Sequence, residues 1–344
     1  MKIKVLFTGG TIGSEANGSF FDVGGNTSKP LFEHYYKQNP NSSVEFDTSV
    51  VLNVLSENIS FENWMQLYNA LKMISRKDCD GVIITYGTDT LAYTSSFLAF
   101  MLCNLDIPVL LVSSDLPLED ANASGYQNFA VAVDFIVKQH TTKGVFVPIF
   151  KEGKTYIHLG SRLTQAQPFT HCFRSLSNVY FGTWEAEGFS RNKHEYNPKI
   201  ADLNSVRCFQ MNGKYDDHKN VVYIKPFPGL NYDMFDFKDK PSAILHELYH
   251  SGTACTQTSE PRYSIINFAK KCIANGIDFY AAPFDPRNAI YVTSKEMHDI
   301  GVKFMSNMSA EAAYIKLNVA YGFFDTKEEI TSFVDTNIAF ERLF

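Results

Sequence analysis

The chain has 344 residues, 45% of them apolar, with 29 Phe and 18 Tyr, enough for two packed interiors rather than one. A formal net charge of -6 gives no basic stripe, which argues against a nucleic-acid partner. No apolar stretch approaches the roughly 20 residues of a membrane-spanning helix, and Cys79, Cys103, Cys172, Cys208, Cys255 and Cys272 form no CxxC pair that would mark a zinc site or disulfide framework.

The first predicted strand is Ile3–Phe7. The lysines before it are followed by only a short apolar run and then Thr8-Gly9-Gly10, so there is no signal-peptide core and a cytoplasmic location is expected. Further short runs, apolar on successive residues, predict strands at Gly81–Thr85, Ile107–Ser113 and Gly144–Phe150, covered on both faces. Apolar residues three and four apart predict helices over Asn63–Ile74 and Asp89–Leu102. The polar stretch that follows lacks a sustained period and predicts a linker. Beyond it come predicted strands at Val221–Lys225, Ala243–Glu247 and Asp278–Pro283, a helix over Tyr263–Asn275, and a last helix N-capped by Ser309. The alternation predicts an α/β protein: a larger N-terminal domain (1–190) with a mostly parallel sheet flanked by helices, a linker (191–219) and a smaller C-terminal α/β domain (220–344).

Two bends carry the chemistry. TGGTIG (residues 8–13) places Thr11 just past the carboxyl end of a strand, where open α/β sheets bind ligands. Glycines there free backbone N–H groups for an anion, and a threonine hydroxyl is a candidate nucleophile if a base removes its proton. An isolated glycine turn with a capping threonine would look the same, and GxGxxG and GKS/GKT are absent. YGTDT (residues 86–90) repeats the geometry after Gly81–Thr85. Asp89 suits a helix start, as a plain N-cap or as a carboxylate for a substrate ammonium.

TGGTI at residues 8–12 followed by GTDT at residues 87–90 resembles the two signatures of the bacterial L-asparaginase and glutaminase-asparaginase family. Ser56-Glu57-Asn58 lies between them, Ser113-Ser114-Asp115 follows the next strand, and the strand-then-glycine element at 247–252 and the SAEAAYIKL helix extend the resemblance over nearly the whole chain. The resemblance implies Thr11 as the nucleophile on a side-chain amide, passing through an acyl-enzyme, with Thr88 and Asp89 in a second polar set. It further implies that Ser56 binds the α-carboxylate, that Glu57 and Asp89 grip the α-ammonium, that Ser114 lines the substrate, and that backbone N–H groups near Gly10 and Thr88 stabilise the oxyanion. No metal or cofactor is implied. Family members assemble as dimers or dimers of dimers, so a homodimer or homotetramer with sites near a subunit interface is expected.

Three departures stand out. Gln165 occupies the position of the family's lysine in the second polar set, and glutamine cannot take up a proton. Phe20 and Phe21 stand where the loop after the first threonine usually offers a tyrosine, and Thr253 stands where an asparagine is usual. Tyr249 and His250 are candidate replacements, although a lone histidine more often has a structural role. The leading expectation is an amidohydrolase converting L-asparagine to L-aspartate and ammonia. The alternatives are a catalytically weakened homologue that binds aspartate or asparagine, and an amidohydrolase for glutamine or a peptide- or tRNA-linked amide.

Overall fold

The computed structural model describes residues 1–9, 15–17, 20–22, 28–120, 122–170, 172–206, 208–211, 214–257, 259–287 and 291–344. Two compact units divide the chain: unit 1 is Met1–Cys208 with Ile338–Phe340, and unit 2 is Phe209–Asn337 with Glu341–Phe344. The chain passes from unit 1 to unit 2 between residues 208 and 209.

Unit 1 opens with β1 (Lys2–Phe7), the hairpin β2 (Glu15–Asn17) and β3 (Phe20–Asp22), α1 (Ser28–Gln38), β4 (Glu45–Val50), α2 (Phe61–Leu71) and β5 (Gly81–Thr85). It continues through α3 (Leu91–Met101), β6 (Pro108–Val112), α4 (Gly125–Lys138), β7 (Gly144–Lys151) and β8 (Lys154–Leu159). A two-stranded ribbon of β9 (Leu163–Gln167) and β10 (Cys172–Ser175) precedes β11 (Gly182–Glu185), β12 (Gly188–Arg191) and the short α5 (Ile200–Leu203). The main sheet has eight strands in the order β12-β11-β8-β7-β6-β5-β1-β4. From β4 to β7 all neighbours are parallel; from β7 to β12 they are antiparallel. The direction changes at a two-residue turn whose central residues, Glu152 (φ 51°) and Gly153 (φ 85°), are both left-handed, as a hairpin matched to strand twist requires.

β5 and β6 are buried at every residue because helices cover both faces of the sheet. On one face α1 and α4 supply Leu31, Tyr35, Phe129 and Phe135 to a core shared with Val5, Ile83 and Leu110. Gly81 is required there, since a Cβ would meet the Ile136 side chain at 2.8 Å. On the other face α2 and α3 meet through Trp64 and Phe97, stacked at 5.4 Å between centroids.

Unit 2 contains β13 (Val221–Ile224), β14 (Ala243–Glu247), α6 (Ile265–Ala274), β15 (Asp278–Phe284), α7 (Val292–Asp299), β16 (Lys303–Ser306), α8 (Ala310–Phe323) and α9 (Lys327–Asp335). Its four strands are all parallel, in the order β13-β14-β15-β16. Ser309 caps α8 by accepting from Ala312 N at 3.1 Å. That helix is buried nearly all round and includes Lys316, which is fully buried and ion-paired with the equally buried Glu341.

Candidate active site

In the parallel half of unit 1 the chain runs from β1 outward to β4, then crosses back over β1 to β5, β6 and β7. The order 2-1-3-4-5 among these five strands puts the topological switch point between β1 and β5, where doubly wound sheets bind ligands beyond the strands' carboxyl ends. The two predicted bends leave these neighbouring strands, in which Phe7 is paired with Thr85.

The strand ends are tied together. Thr8, 3% exposed, donates its hydroxyl to the Thr85 carbonyl at 2.6 Å. Gly9 follows with φ 93°, left-handed backbone that glycine adopts without strain. The chain leaving β4 returns along the same bend: Val51 N and Leu52 N donate to Phe7 O at 2.9 and 3.3 Å, and Val54 N donates to Thr8 O at 3.1 Å. This return delivers Ser56 at the start of a 3-10 turn, Ser56–Asn58. A capping box of Ser60 and Asn63 then starts α2.

Ser56 is 5% exposed, and its hydroxyl donates to Asp89 Oδ2 at 3.3 Å. The sequence offered two roles for Asp89, and the N-cap role is not realised. The N-cap position belongs to Thr90, and α3 begins at Leu91. Asp89 itself is exposed just ahead of the helix, where the dipole favours a carboxylate, with one oxygen held by Ser56. An exposed carboxylate oriented in this way can accept hydrogen bonds from a cation such as an ammonium group. Thr88 beside it is half-buried, and Glu57 is exposed on the adjoining turn.

Behind the pair runs a directed relay that sequence reasoning missed. Trp64 Nε1 donates to Thr94 Oγ1 at 2.7 Å, and Thr94 donates to the Tyr86 phenol at 2.6 Å. The phenol lies 3.1 Å from Thr90 Oγ1, and Thr90 donates to the Ser56 carbonyl at 2.9 Å. Because Thr90 spends its proton on a carbonyl and Tyr86 accepts from Thr94, the phenol must donate to Thr90, so every hydroxyl gives one bond and takes one. Burial raises the Tyr86 pKa above the ordinary tyrosine value and keeps the phenol neutral. The sequence clue was a Thr-Ser-Ser run at 94–96 inside an otherwise apolar helix.

The remaining candidates fall as follows. Gly10 and Thr11 lie outside the described residues. Phe20 is paired through its backbone with Asn17 in the hairpin after the first bend. Ser114 is 2% exposed; its hydroxyl donates to Leu116 O at 2.5 Å and accepts from Gly125 N at 3.2 Å, building the entry to α4. Next to it, burial disfavours the ionised Asp115 carboxylate, but hydrogen bonds from the Ser124 hydroxyl and backbone outweigh this and lower its pKa. Gln165 is exposed on β9, directly after a turn that Ser95 of α3 holds through Gly160 O at 2.9 Å. In unit 2, β14 ends in a tight turn: Tyr249 N donates to Thr253 O at 2.9 Å, and Gly252 has φ 73°. Thr253 Oγ1 lies 3.0 Å from Ser251 Oγ, and His250 is exposed on the turn. Among the described residues no helix is long and apolar enough to cross a membrane, and no three His, Cys, Asp or Glu side chains cluster to hold a metal ion.

A doubly wound domain with an oriented carboxylate at its switch point has the architecture of an enzyme for small polar ligands. The family described as asparaginase, N-terminal, matches residues 2–197, more than half of the chain. The chain is 27% identical over 354 residues to an L-asparaginase of Thermococcus kodakarensis, covering 99% of each sequence. It is 25% identical over 356 residues to a glutamyl-tRNA(Gln) amidotransferase component of Sulfurisphaera tokodaii, covering 99% of this chain and 75% of that one. The solved structure of the thermostable Thermococcus kodakarensis L-asparaginase superposes with a TM-score of 0.79 at 26% identity, over 99% of both chains. L-asparaginase I of Vibrio cholerae, at 19% identity and a TM-score of 0.75 over 99% of this chain and 98% of that one, shares the fold. The chain belongs to the asparaginase family and is a hydrolase of that family acting on an amide.

Proposed function

We propose that the chain hydrolyses the side-chain amide of L-asparagine, releasing L-aspartate and ammonia, with Thr11 as nucleophile. The Thr11 hydroxyl attacks the amide carbon, the oxyanion is held by backbone N–H groups near Gly10 and Thr88, and ammonia leaves an acyl-enzyme that water opens. On substrate binding the Ser56 hydroxyl turns from Asp89 to the substrate's α-carboxylate, while Asp89 and Glu57 receive its α-ammonium; Thr88 completes the second polar set. The observation that carries this reading is the hydrogen bond from Ser56 to Asp89 at the switch point, which holds the Asp89 carboxylate in place for a substrate ammonium. Gln165 in place of a lysine leaves the second set without a proton-accepting amine, so turnover is expected to be slow rather than absent. The working form in this reading is a cytoplasmic homodimer or homotetramer.

A second reading rests on the amidotransferase component among the relatives: the same amide cleavage, with the ammonia used by a partner protein. The deciding experiment measures ammonia release from the purified chain over L- and D-asparagine and L- and D-glutamine. L-asparagine is expected to be the best substrate, with activity lost in Thr11→Ala. A preference for L-glutamine would favour the second reading, and no release from any of the four would overturn both.

A further inference from the structure

We propose that Thr90 is a positioning residue: in the ligand-bound state its hydroxyl holds the turn that presents Ser56 and Glu57 to the substrate. This role rests on the reading of Ser56 and Asp89 proposed above. Two hydrogen bonds of opposite direction join the 3-10 turn Ser56–Asn58 to the bend before α3. The Ser56 hydroxyl donates to Asp89 Oδ2 at 3.3 Å, and the Thr90 hydroxyl donates to the Ser56 carbonyl at 2.9 Å. Adjacent residues of one bend thus clamp the side chain and the backbone of a single serine.

The clamp becomes one-sided once a ligand arrives. A serine hydroxyl has a single proton, so turning it to an α-carboxylate gives up the bond to Asp89. The Ser56 carbonyl is an acceptor and has nothing to offer that anion, so the bond from Thr90 persists. Of the two bonds it is then the one that keeps the turn, and with it Ser56 and the exposed Glu57, against the bend carrying Asp89. The turn's own bonds, from Asn58 N to Leu55 O at 2.9 Å and from Ile59 N to Ser56 O at 3.3 Å, fix its shape and not its place.

Thr90 forgoes a local role to do this. It stands at the N-cap of α3, where a threonine hydroxyl ordinarily accepts from the first N–H groups of the helix, yet its side chain makes no capping bond. Its proton goes instead to a carbonyl 34 residues away in sequence, and its oxygen accepts from the Tyr86 phenol at 3.1 Å. Tyr86 is 2% exposed and is fixed in turn by the fully buried Thr94, so the Thr90 hydroxyl is aimed at Ser56 from the protein interior. Valine at this position would keep the volume and lose the aim.

The full chain and its variants would be assayed for ammonia release from L-asparagine and titrated calorimetrically with L-aspartate. Thr90→Val is expected to raise KM and the L-aspartate Kd together, each roughly 3- to 10-fold, the scale of one neutral hydrogen bond, with kcat within about twofold. Thr90→Ser keeps the hydroxyl and should return both constants to the wild-type values. Thr90→Val also strands the buried phenol and should lower Tm; combining it with Tyr86→Phe removes that phenol and should regain most of the Tm while both constants stay raised. Wild-type constants in Thr90→Val, a fall confined to kcat, or constants that recover along with Tm in the double variant would overturn the proposal. A wild-type chain that neither cleaves L-asparagine nor binds L-aspartate would instead overturn the reading of the site, and the role of Thr90 with it.

Discussion

The Ser56 hydroxyl and the Asp89 carboxylate, 33 residues apart in sequence, meet at 3.3 Å. The bond orients the carboxylate before any ligand arrives, and the second carboxylate oxygen remains for a substrate cation. A hydrogen bond to a charged group contributes about 1.5–3 kcal/mol, or roughly 10- to 150-fold in binding. Asp89→Asn is therefore expected to raise the KM for L-asparagine by about that factor, and Ser56→Ala by less, with the fold intact by circular dichroism. An unchanged KM in Asp89→Asn would remove Asp89 from the binding set.

Thr94 is the middle of the relay that supports this pair. Replacing it by Val leaves Trp64 Nε1 without its acceptor and Tyr86 without its donor, in a place where neither group reaches water. A loss of about 1–3 kcal/mol in urea unfolding is expected. Thr94→Ser keeps the hydroxyl and should recover most of that loss. Wild-type stability in Thr94→Val would show that the relay contributes nothing to the fold.

Gln165 offers a gain-of-function test. The residue is exposed, so Gln165→Lys should change stability by no more than about 0.5 kcal/mol. If a missing amine limits turnover, kcat for ammonia release should rise on the order of 10²-fold, with little change in KM. A kcat that stays flat in a chain of unchanged melting temperature would locate the limitation elsewhere.

Two buried histidines set an acid limit on stability. His158 lies 2.8 Å from Ser175 Oγ; His246 donates from Nδ1 to the Glu247 carbonyl and so accepts the Tyr232 hydroxyl at Nε2. Burial lowers each ring's pKa to about 4. Unfolded histidine has a pKa near 6.5, so as pH falls through that value the unfolded chain takes up protons that the folded chain refuses until about pH 4. Each ring should therefore cost the folded state on the order of 3 kcal/mol between those limits, and nothing above pH 7. Urea unfolding at pH 7.5 and 4.5 measures the difference. His246→Gln should reduce it by about half; an unaltered difference would assign the acid sensitivity to other groups.

The comparison of sequence and structure divides along the range of the interactions involved. The buried strands Gly81–Thr85 and Ala243–Glu247 match their predicted bounds because apolar runs between turn residues encode them locally. The same local signals gave the α/β class, the two strand-end bends and, with the family resemblance, the choice of Ser56 and Asp89. The edge strand β4, Glu45–Val50, was not legible because only half its residues are even partly covered, and nothing in EFDTSV competes with a loop until β1 pairs with it. The antiparallel half of the sheet was equally hidden, since its direction depends on a two-residue turn at Glu152-Gly153.

What the sequence determined by itself was therefore the buried strands at Gly81–Thr85 and Ala243–Glu247 and which bends carry hydroxyl and carboxylate groups. Only the tertiary structure decided that Asp89 answers to Ser56 rather than to its own helix, that Trp64, Thr94, Tyr86 and Thr90 form one directed relay, and that Lys316 finds Glu341 inside unit 2. The physical reason is that hydrogen bonds and buried charges are settled by proximity across strands and helices distant in sequence, whereas periodicity records only what each segment turns toward its own core.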